Sequence, residues 1–234
     1  MKGIPMYLHF PESPQPWAAR RWLACLMSLM SLMLLCLTLP AQADERPTLL
    51  VMGDSLSAAY GIEQELGWVH LLEQRLDGKV RVINASISGE TTSGGASRLP
   101  DLLRQHEPEL VLLELGGNDG LRGLPPRQMR ANLASMIEES LDAGAQVLLL
   151  GIDIPPNYGQ AYRDAFRSTY TQLAEEYEVP LVPFILEDIA LETTLMQDDG
   201  IHPTADAQPI ILENIWPELE SLLARHTEVS VTSD

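Results

Sequence analysis

The sequence predicts an α/β domain in which a mainly parallel sheet is covered by helices on both faces, and three observations carry that reading. Short runs rich in Val, Leu and Ile alternate with longer amphipathic stretches over about 170 residues. Strands separated by helix-length segments imply right-handed crossovers between parallel neighbours. No internal repeat and no linker long enough to divide the chain interrupts the alternation, so residues 44–234 are expected to form one domain.

The elements follow in order. Thr48–Met52, Val80–Asn84, Leu110–Leu115, Gln146–Ile152 and Val179–Phe184 read as buried strands, being short, apolar and bounded by turn residues. Gly67–Leu76, Ser93–His106, Pro126–Ala143, Gly159–Glu178 and Asp206–Arg225 read as helices. In the third of these, Met129, Leu133, Met136, Ile137 and Leu141 form one apolar face, with Glu138, Glu139 and Asp142 off it. Pro125 and Pro126 suit its first turn and Gly144 its end. Pro100 is expected to break the second helix into two pieces, since a proline removes a backbone hydrogen bond and crowds the preceding turn.

Composition narrows the function classes. The chain has 234 residues, is 45% hydrophobic and 21% charged, and carries 15 basic against 33 acidic side chains. Lys2, Arg20, Arg21 and Glu12 are the only charges in the first 43 residues, so the remainder holds 12 basic and 32 acidic groups, a net of −20. A phosphate-backbone binder needs clustered cations, and with Lys79 as the one lysine of this remainder, no nucleic-acid role is expected. Both cysteines, Cys25 and Cys36, fall in the leading segment, which excludes disulfides, cysteine-ligated metals and a thiol nucleophile from the domain itself.

That leading segment has the anatomy of a secretory signal. Arg20 and Arg21 precede an apolar run from Trp22 to Leu39, and Ala41-Gln42-Ala43 then supplies the small residues a signal peptidase requires. Cleavage after Ala43 is expected, giving a periplasmic or secreted protein with no stable membrane anchor.

Chemistry is expected at the carboxyl ends of the strands, where parallel α/β sheets bind ligands. Directly after the first strand comes Gly53-Asp54-Ser55-Leu56-Ser57, which exposes the Ser55 hydroxyl where the chain turns toward a helix. A lone serine there also serves as a helix cap; as a nucleophile it needs a base, usually a histidine oriented by a carboxylate. His70 lies within a helix, His106 ends one and His226 sits near the terminus. His202 differs, standing in the loop Asp199-Gly200-Ile201-His202-Pro203 with a carboxylate three residues before it. Two further loops offer donors for an oxyanion: Gly89 after the second strand, through its backbone N–H, and Asn118 in Gly116-Gly117-Asn118-Asp119-Gly120 after the third. Neither loop is a phosphate loop, because the GxxxxGK[ST] pattern is missing. The G-x-S-x-G elbow of α/β-hydrolases is also absent.

Gly53-Asp54-Ser55-Leu56, Gly89, Gly116-x-Asn118-Asp119 and Asp199-x-x-His202 resemble, in order, the sequence blocks of the SGNH (GDSL) hydrolases. The longer stretches 82–89, 114–123 and 196–203 are similar to the subgroup of periplasmic bacterial acyl-CoA thioesterase I, lysophospholipase and arylesterase enzymes. The resemblance runs from about Thr48 to Leu222. It implies a three-layer αβα sandwich, flavodoxin-like, with a five-stranded mainly parallel sheet. It implies Ser55 as nucleophile, His202 as general base then acid, Asp199 as its orienting carboxylate, and the Ser55 N–H, Gly89 N–H and Asn118 side chain as oxyanion hole. The substrate would be a small-molecule acyl ester or thioester, with no cofactor and no metal. Leu121, Leu124, Pro155, Pro156 and Tyr158, in the loops after the third and fourth strands, would line a hydrophobic acyl crevice. Glu90 stands where the family pattern favours Asp, outside the donor set. The competing expectations are a carbohydrate or small-ester deacetylase on the same fold and a non-catalytic lipid-binding envelope protein.

Overall fold

The computed structural model describes residues 46–231, with side chains through residue 225. The expected signal, residues 1–43, and the His226 side chain lie outside the described residues. Five strands form one sheet: β1 (Thr48–Gly53), β2 (Arg81–Asn84), β3 (Leu110–Glu114), β4 (Gln146–Leu150) and β5 (Leu181–Val182). Their spatial order is β2-β1-β3-β4-β5, and every pairing is parallel. Among the described residues the α-helices are α1 (Trp68–Arg75), α2 (Thr92–His106), α3 (Gly117–Leu121), α4 (Pro126–Asp142), α5 (Gln160–Tyr177) and α6 (Gln208–Val231).

The central strands β1 and β3 are buried at every position, which explains why residues 49–52 and 110–113 are continuous apolar runs rather than alternating ones. Helices α2, α4 and α5 pack side by side as one layer, and α1 packs on α6 in the other. The five-stranded αβα sandwich is therefore present. Chain order reverses direction across the sheet between β1 and β3, and at such a switch point the loops leaving adjacent strand ends diverge and open a crevice.

Three local expectations need correction. Helix α2 runs unbroken through Pro100, because buried Leu99 and Leu103 hold both halves against the core across the lost hydrogen bond. The apolar face of α4 contains Ser140 in place of Leu141, which is exposed; the Ser140 hydroxyl escapes desolvation by donating to the Met136 carbonyl at 2.7 Å. The last strand shrinks to two residues at the sheet edge. After Ser55 the chain passes through turns, with Ala58 N–H bonded to Asp54 O at 3.0 Å, before α1 begins at Trp68, close to the expected start at Gly67.

Candidate active site

β1 ends at Gly53, and the turn that follows presents Ser55 beside a loop from the far end of the chain. Ser55 Oγ lies 2.9 Å from His202 Nε2, and His202 Nδ1 lies 2.6 Å from Asp199 Oδ2. Residues 147 positions apart in sequence thus meet within hydrogen-bond reach.

The second pair is built by its turn. Asp199 Oδ1 accepts the backbone N–H of Ile201 at 2.9 Å and of His202 at 3.0 Å, so the carboxylate is fixed before it meets the imidazole. Burial opposes ionisation of Asp199, but the hydrogen bonds from the His202 ring and these two N–H groups outweigh it and hold the carboxyl at about 2. An ionised carboxylate only accepts, so the His202 proton resides on Nδ1 and Nε2 is left as acceptor for the Ser55 hydroxyl.

Gly89 and Asn118 arrive from the two strands that flank β1. Gly89 adopts φ 80°, a left-handed conformation that favours glycine. The backbone N–H groups of Ser55 and Gly89 find no acceptor among the described residues. Asn118 lies in the first turn of α3, and its Nδ2 donates to Asp54 Oδ2 at 3.0 Å. One carboxamide hydrogen is thereby committed and the other remains available.

Two polar ties hold these loops together. The Asp119 carboxylate accepts the Thr92 N–H at 2.8 Å and the Thr92 hydroxyl at 2.6 Å, joining α3 to the N-terminus of α2 just beyond Gly89. Arg122 links the same loops from outside, its backbone N–H on Asn118 O and its Nη2 on Gly89 O at 2.9 Å. Glu90 pairs with Arg98 at 2.9 Å, and Arg98 also donates to Ala85 O, so the Glu90 carboxylate braces the loop rather than facing the site.

Beneath Ser55 lies a pair of buried acids that sequence reasoning did not single out. Asp54 is 2% exposed and Glu114 fully buried. Glu114 Oε2 accepts the Asp54 N–H at 3.1 Å and the Ser57 hydroxyl at 2.7 Å, while its Oε1 has no partner among the described residues. Burial pushes Asp54 up to about 6 despite hydrogen bonds from Leu56 N–H and Asn118. Burial, then the neighbouring Asp54 charge, pushes Glu114 well above its ordinary carboxyl value. The available signal was an acid ending the strand sequence Leu110-Val111-Leu112-Leu113-Glu114, a position whose neighbours in sequence are all core residues.

The residues expected to line a crevice come from two loops joined by tyrosine hydroxyls. Tyr158 donates to Leu121 O and Tyr162 to Leu124 O, both at 2.7 Å. Pro155 is partly buried and Pro156 exposed. Tyr162 was not anticipated. His70 and His106 are remote from this constellation in their contacts, His70 meeting Gln74 and Glu73 on α1 and His106 ending α2.

A serine at the carboxyl end of a central strand, a histidine and a carboxylate in line, with donors from two neighbouring loops, define a hydrolase that works through a serine. The chain belongs to the GDSL-like Lipase/Acylhydrolase family, whose profile matches residues 51–209. It is 52% identical over 192 residues to "Esterase TesA" of Pseudomonas aeruginosa, covering 81% of this chain and 96% of the relative. It is 47% identical to "Thioesterase 1/protease 1/lysophospholipase L1" of Escherichia coli (strain K12), covering 82% of this chain and 91% of that one. Among solved structures, the psychrotrophic esterase EstA from Pseudoalteromonas sp., inhibited by monoethylphosphonate, superposes with a TM-score of 0.72 at 46% identity, covering 76% of this chain and 98% of its own.

Proposed function

We propose that this enzyme hydrolyses carboxylic ester and thioester bonds of small acyl substrates by two-step acyl transfer through Ser55. The single observation that carries the reading is the aligned contact of Ser55 Oγ with His202 Nε2 at 2.9 Å, backed by Asp199 at 2.6 Å. His202 Nε2 takes the Ser55 proton as Oγ attacks the carbonyl carbon. Asp199 stabilises the imidazolium so formed. The tetrahedral oxyanion is met by the Ser55 and Gly89 N–H groups and the free Asn118 carboxamide hydrogen, and His202 returns the proton to the departing alcohol or thiol. Water, deprotonated by the same imidazole, then releases the acid and restores Ser55.

Leu121, Leu124, Pro155, Pro156 and Tyr158 receive the acyl chain in this reading; the tyrosine bonds between their loops support a wall of fixed shape. Relatives called an esterase, a thioesterase/lysophospholipase and an "Arylesterase" support ester and thioester substrates alike. The leading segment directs the enzyme out of the cytoplasm and is removed after Ala43; its charged flank, apolar run and Ala-x-Ala ending support this. No described helix is long and apolar enough to cross a membrane.

The test is covalent labelling. An ethyl phosphonate bearing a p-nitrophenyl leaving group should modify the enzyme once, at Ser55, and Ser55→Ala should remain unlabelled and inactive on p-nitrophenyl esters. Label recovered on another residue refutes the assignment. A panel from p-nitrophenyl acetate to palmitate, with phenyl acetate, acyl-CoA and lysophosphatidylcholine, then ranks chain length and leaving group. Mass spectrometry of the exported protein should give a chain beginning at Asp44.

A further inference from the structure

The contact between Ser55 and His202 joins two loops that share no strand pairing, so something must set their separation. His202 sits on the return limb of a tight loop, where Thr204 N–H bonds to Leu195 O and Gln197 N–H to His202 O, both at 2.8 Å. Ser55 opens a turn that closes at Tyr60, whose N–H reaches Ser55 O at 3.2 Å. One side chain spans both loops. Gln197 Nε2 donates to Tyr60 O at 2.8 Å and to Pro203 O at 3.0 Å.

We propose that Gln197 is a positioning residue that fixes the distance between nucleophile and base by tying the far end of the Ser55 turn to the residue following His202. The inference rests on the acyl-transfer reading given above. Two carbonyl oxygens face the carboxamide, and only its NH2 end can serve both, so chemistry fixes which way the amide points. Its backbone N–H holds the His202 carbonyl as well, so a single residue grips both sides of the base and the end of the nucleophile turn. Gly61 is fitted to this arrangement: a Cβ there would come within 2.3 Å of Gln197 Oε1, and the backbone adopts φ 77°. The Tyr60 ring, placed by the same tie, lies 4.4 Å from the imidazole of His202 and tilted 40° to it. Among the described residues the hydrogen bonds of Gln197 go to backbone carbonyls and not to the Ser55 hydroxyl or the His202 ring, so it acts through the loops.

Four variants test this. Gln197→Met keeps the side-chain volume and removes both donors, and should lower kcat on p-nitrophenyl butyrate by about tenfold, the loss of roughly one well-placed hydrogen bond, with KM within about twofold. Phosphonate labelling of Ser55 should slow by the same factor, since it uses the same proton transfer. Gln197→Glu, with acceptors facing acceptors, should lose more than Gln197→Met. Gly61→Ala pushes the carboxamide aside without altering Gln197 and should reproduce the kcat defect; it decides the matter if a Gln197 variant does not fold. In a His202→Ala background there is no base to place, so adding Gln197→Met should leave the residual rate unchanged, whereas a general structural role would lower it again. Equal losses in both backgrounds, or labelling at the wild-type rate in Gln197→Met, overturn the proposal. Failure of the wild-type enzyme to label at Ser55 would instead overturn the acyl-transfer reading beneath it.

Discussion

Asn118 shows how much one side chain can decide. Its carboxamide has two hydrogens, and Asp54 holds one of them, leaving the other for the oxyanion. Removing one such donor typically costs about 2.7–4 kcal/mol of transition-state stabilisation. Asn118→Ala is therefore expected to lower kcat by roughly 10²–10³ with folding intact, checked by steady-state kinetics beside a thermal melt. Asp54→Asn makes a subtler prediction, because Asp54 is raised by burial to about 6 in the folded protein. A carboxyl raised on folding contributes stability that is fully present below about 3.8, its ordinary value, and is lost as pH rises through about 6. Asparagine has no such titration. The stability of Asp54→Asn relative to wild type should therefore improve by about 3 kcal/mol between pH 3.5 and pH 7, since each tenfold rise in proton affinity on folding is worth about 1.4 kcal/mol, and relief of Glu114 from the Asp54 charge acts in the same direction. Asp199, held at about 2, works with the opposite sign, its contribution lost as pH falls through that value; it is common to both proteins and cancels in the comparison. Urea unfolding at the two pH values measures the change, and a pH-independent gap would contradict it. Activity follows a separate logic: His202 must be neutral to accept a proton, so kcat/KM should fall once acid protonates the imidazole. A profile flat from pH 5 to 9 would remove His202 as the base.

At the level of elements, the decisive contact is where α2 meets the end of β3. A Cβ at Gly95 would lie 2.4 Å from Leu115 Cδ1 and 3.2 Å from Met136 Sδ. Alanine gains up to about 1 kcal/mol of helix propensity over glycine, but overpacking a filled core costs about 1–3 kcal/mol. The clash is with neighbours that are themselves buried, so it prevails. Gly95→Ala should lower unfolding stability by about 1 kcal/mol or more and reduce kcat further than that loss implies, because α2 carries the Gly89 loop and β3 leads to Asn118. Denaturation midpoints and kcat measured on one preparation check both, and a stabilised variant would show that the helix can slide. The strands were legible in sequence because β1 and β3 are buried on both faces and so are mostly apolar, with Glu114 as the charged exception. The blocks of Ser55, Gly89 and Asn118 were legible because each sits in a glycine-bearing loop after a strand, whereas Asp199 and His202 lie in a loop well beyond β5 and were legible only by their spacing. What stayed hidden were features set by contact across the fold. Helix α3 is five residues long, too short for any periodicity to register. Pro100 read locally as a break, whereas tertiary packing of Leu99 and Leu103 overrides it. Glu114 stood inside the predicted strand Leu110–Leu115, and nothing local reveals that it meets Asp54 and Ser57 at the end of the neighbouring strand. Gln197 donates to a carbonyl 137 residues away, a relation no local pattern encodes.

For the molecule as a whole, the governing quantity is charge. Beyond residue 43 the chain carries 12 basic and 32 acidic side chains. Several of the cations are already committed: Arg75 to Glu213, Arg98 to Glu90, Arg130 to Glu176 and Arg163 to Asp153. The surplus acids therefore face one another across solvent, and self-repulsion of this kind favours the expanded, unfolded chain. Salt screens it, since the Debye length falls from about 30 Å at 0.01 M to about 3 Å at 1 M. Screening also weakens the exposed ion pairs, but such pairs are each worth only about 0–1 kcal/mol, and they are outnumbered by the unpaired carboxylates. The repulsive term should win. Raising sodium chloride from 0.01 to 0.5 M at pH 7 is expected to raise Tm, by about 2–4 °C for each kcal/mol of repulsion relieved in a domain of this size. Sodium chloride is the right probe because sulfate would add its own effect on apolar burial. A Tm that falls with added chloride would mean that the ion pairs outweigh the net charge, and that the acidity of this enzyme has been placed to be locally compensated.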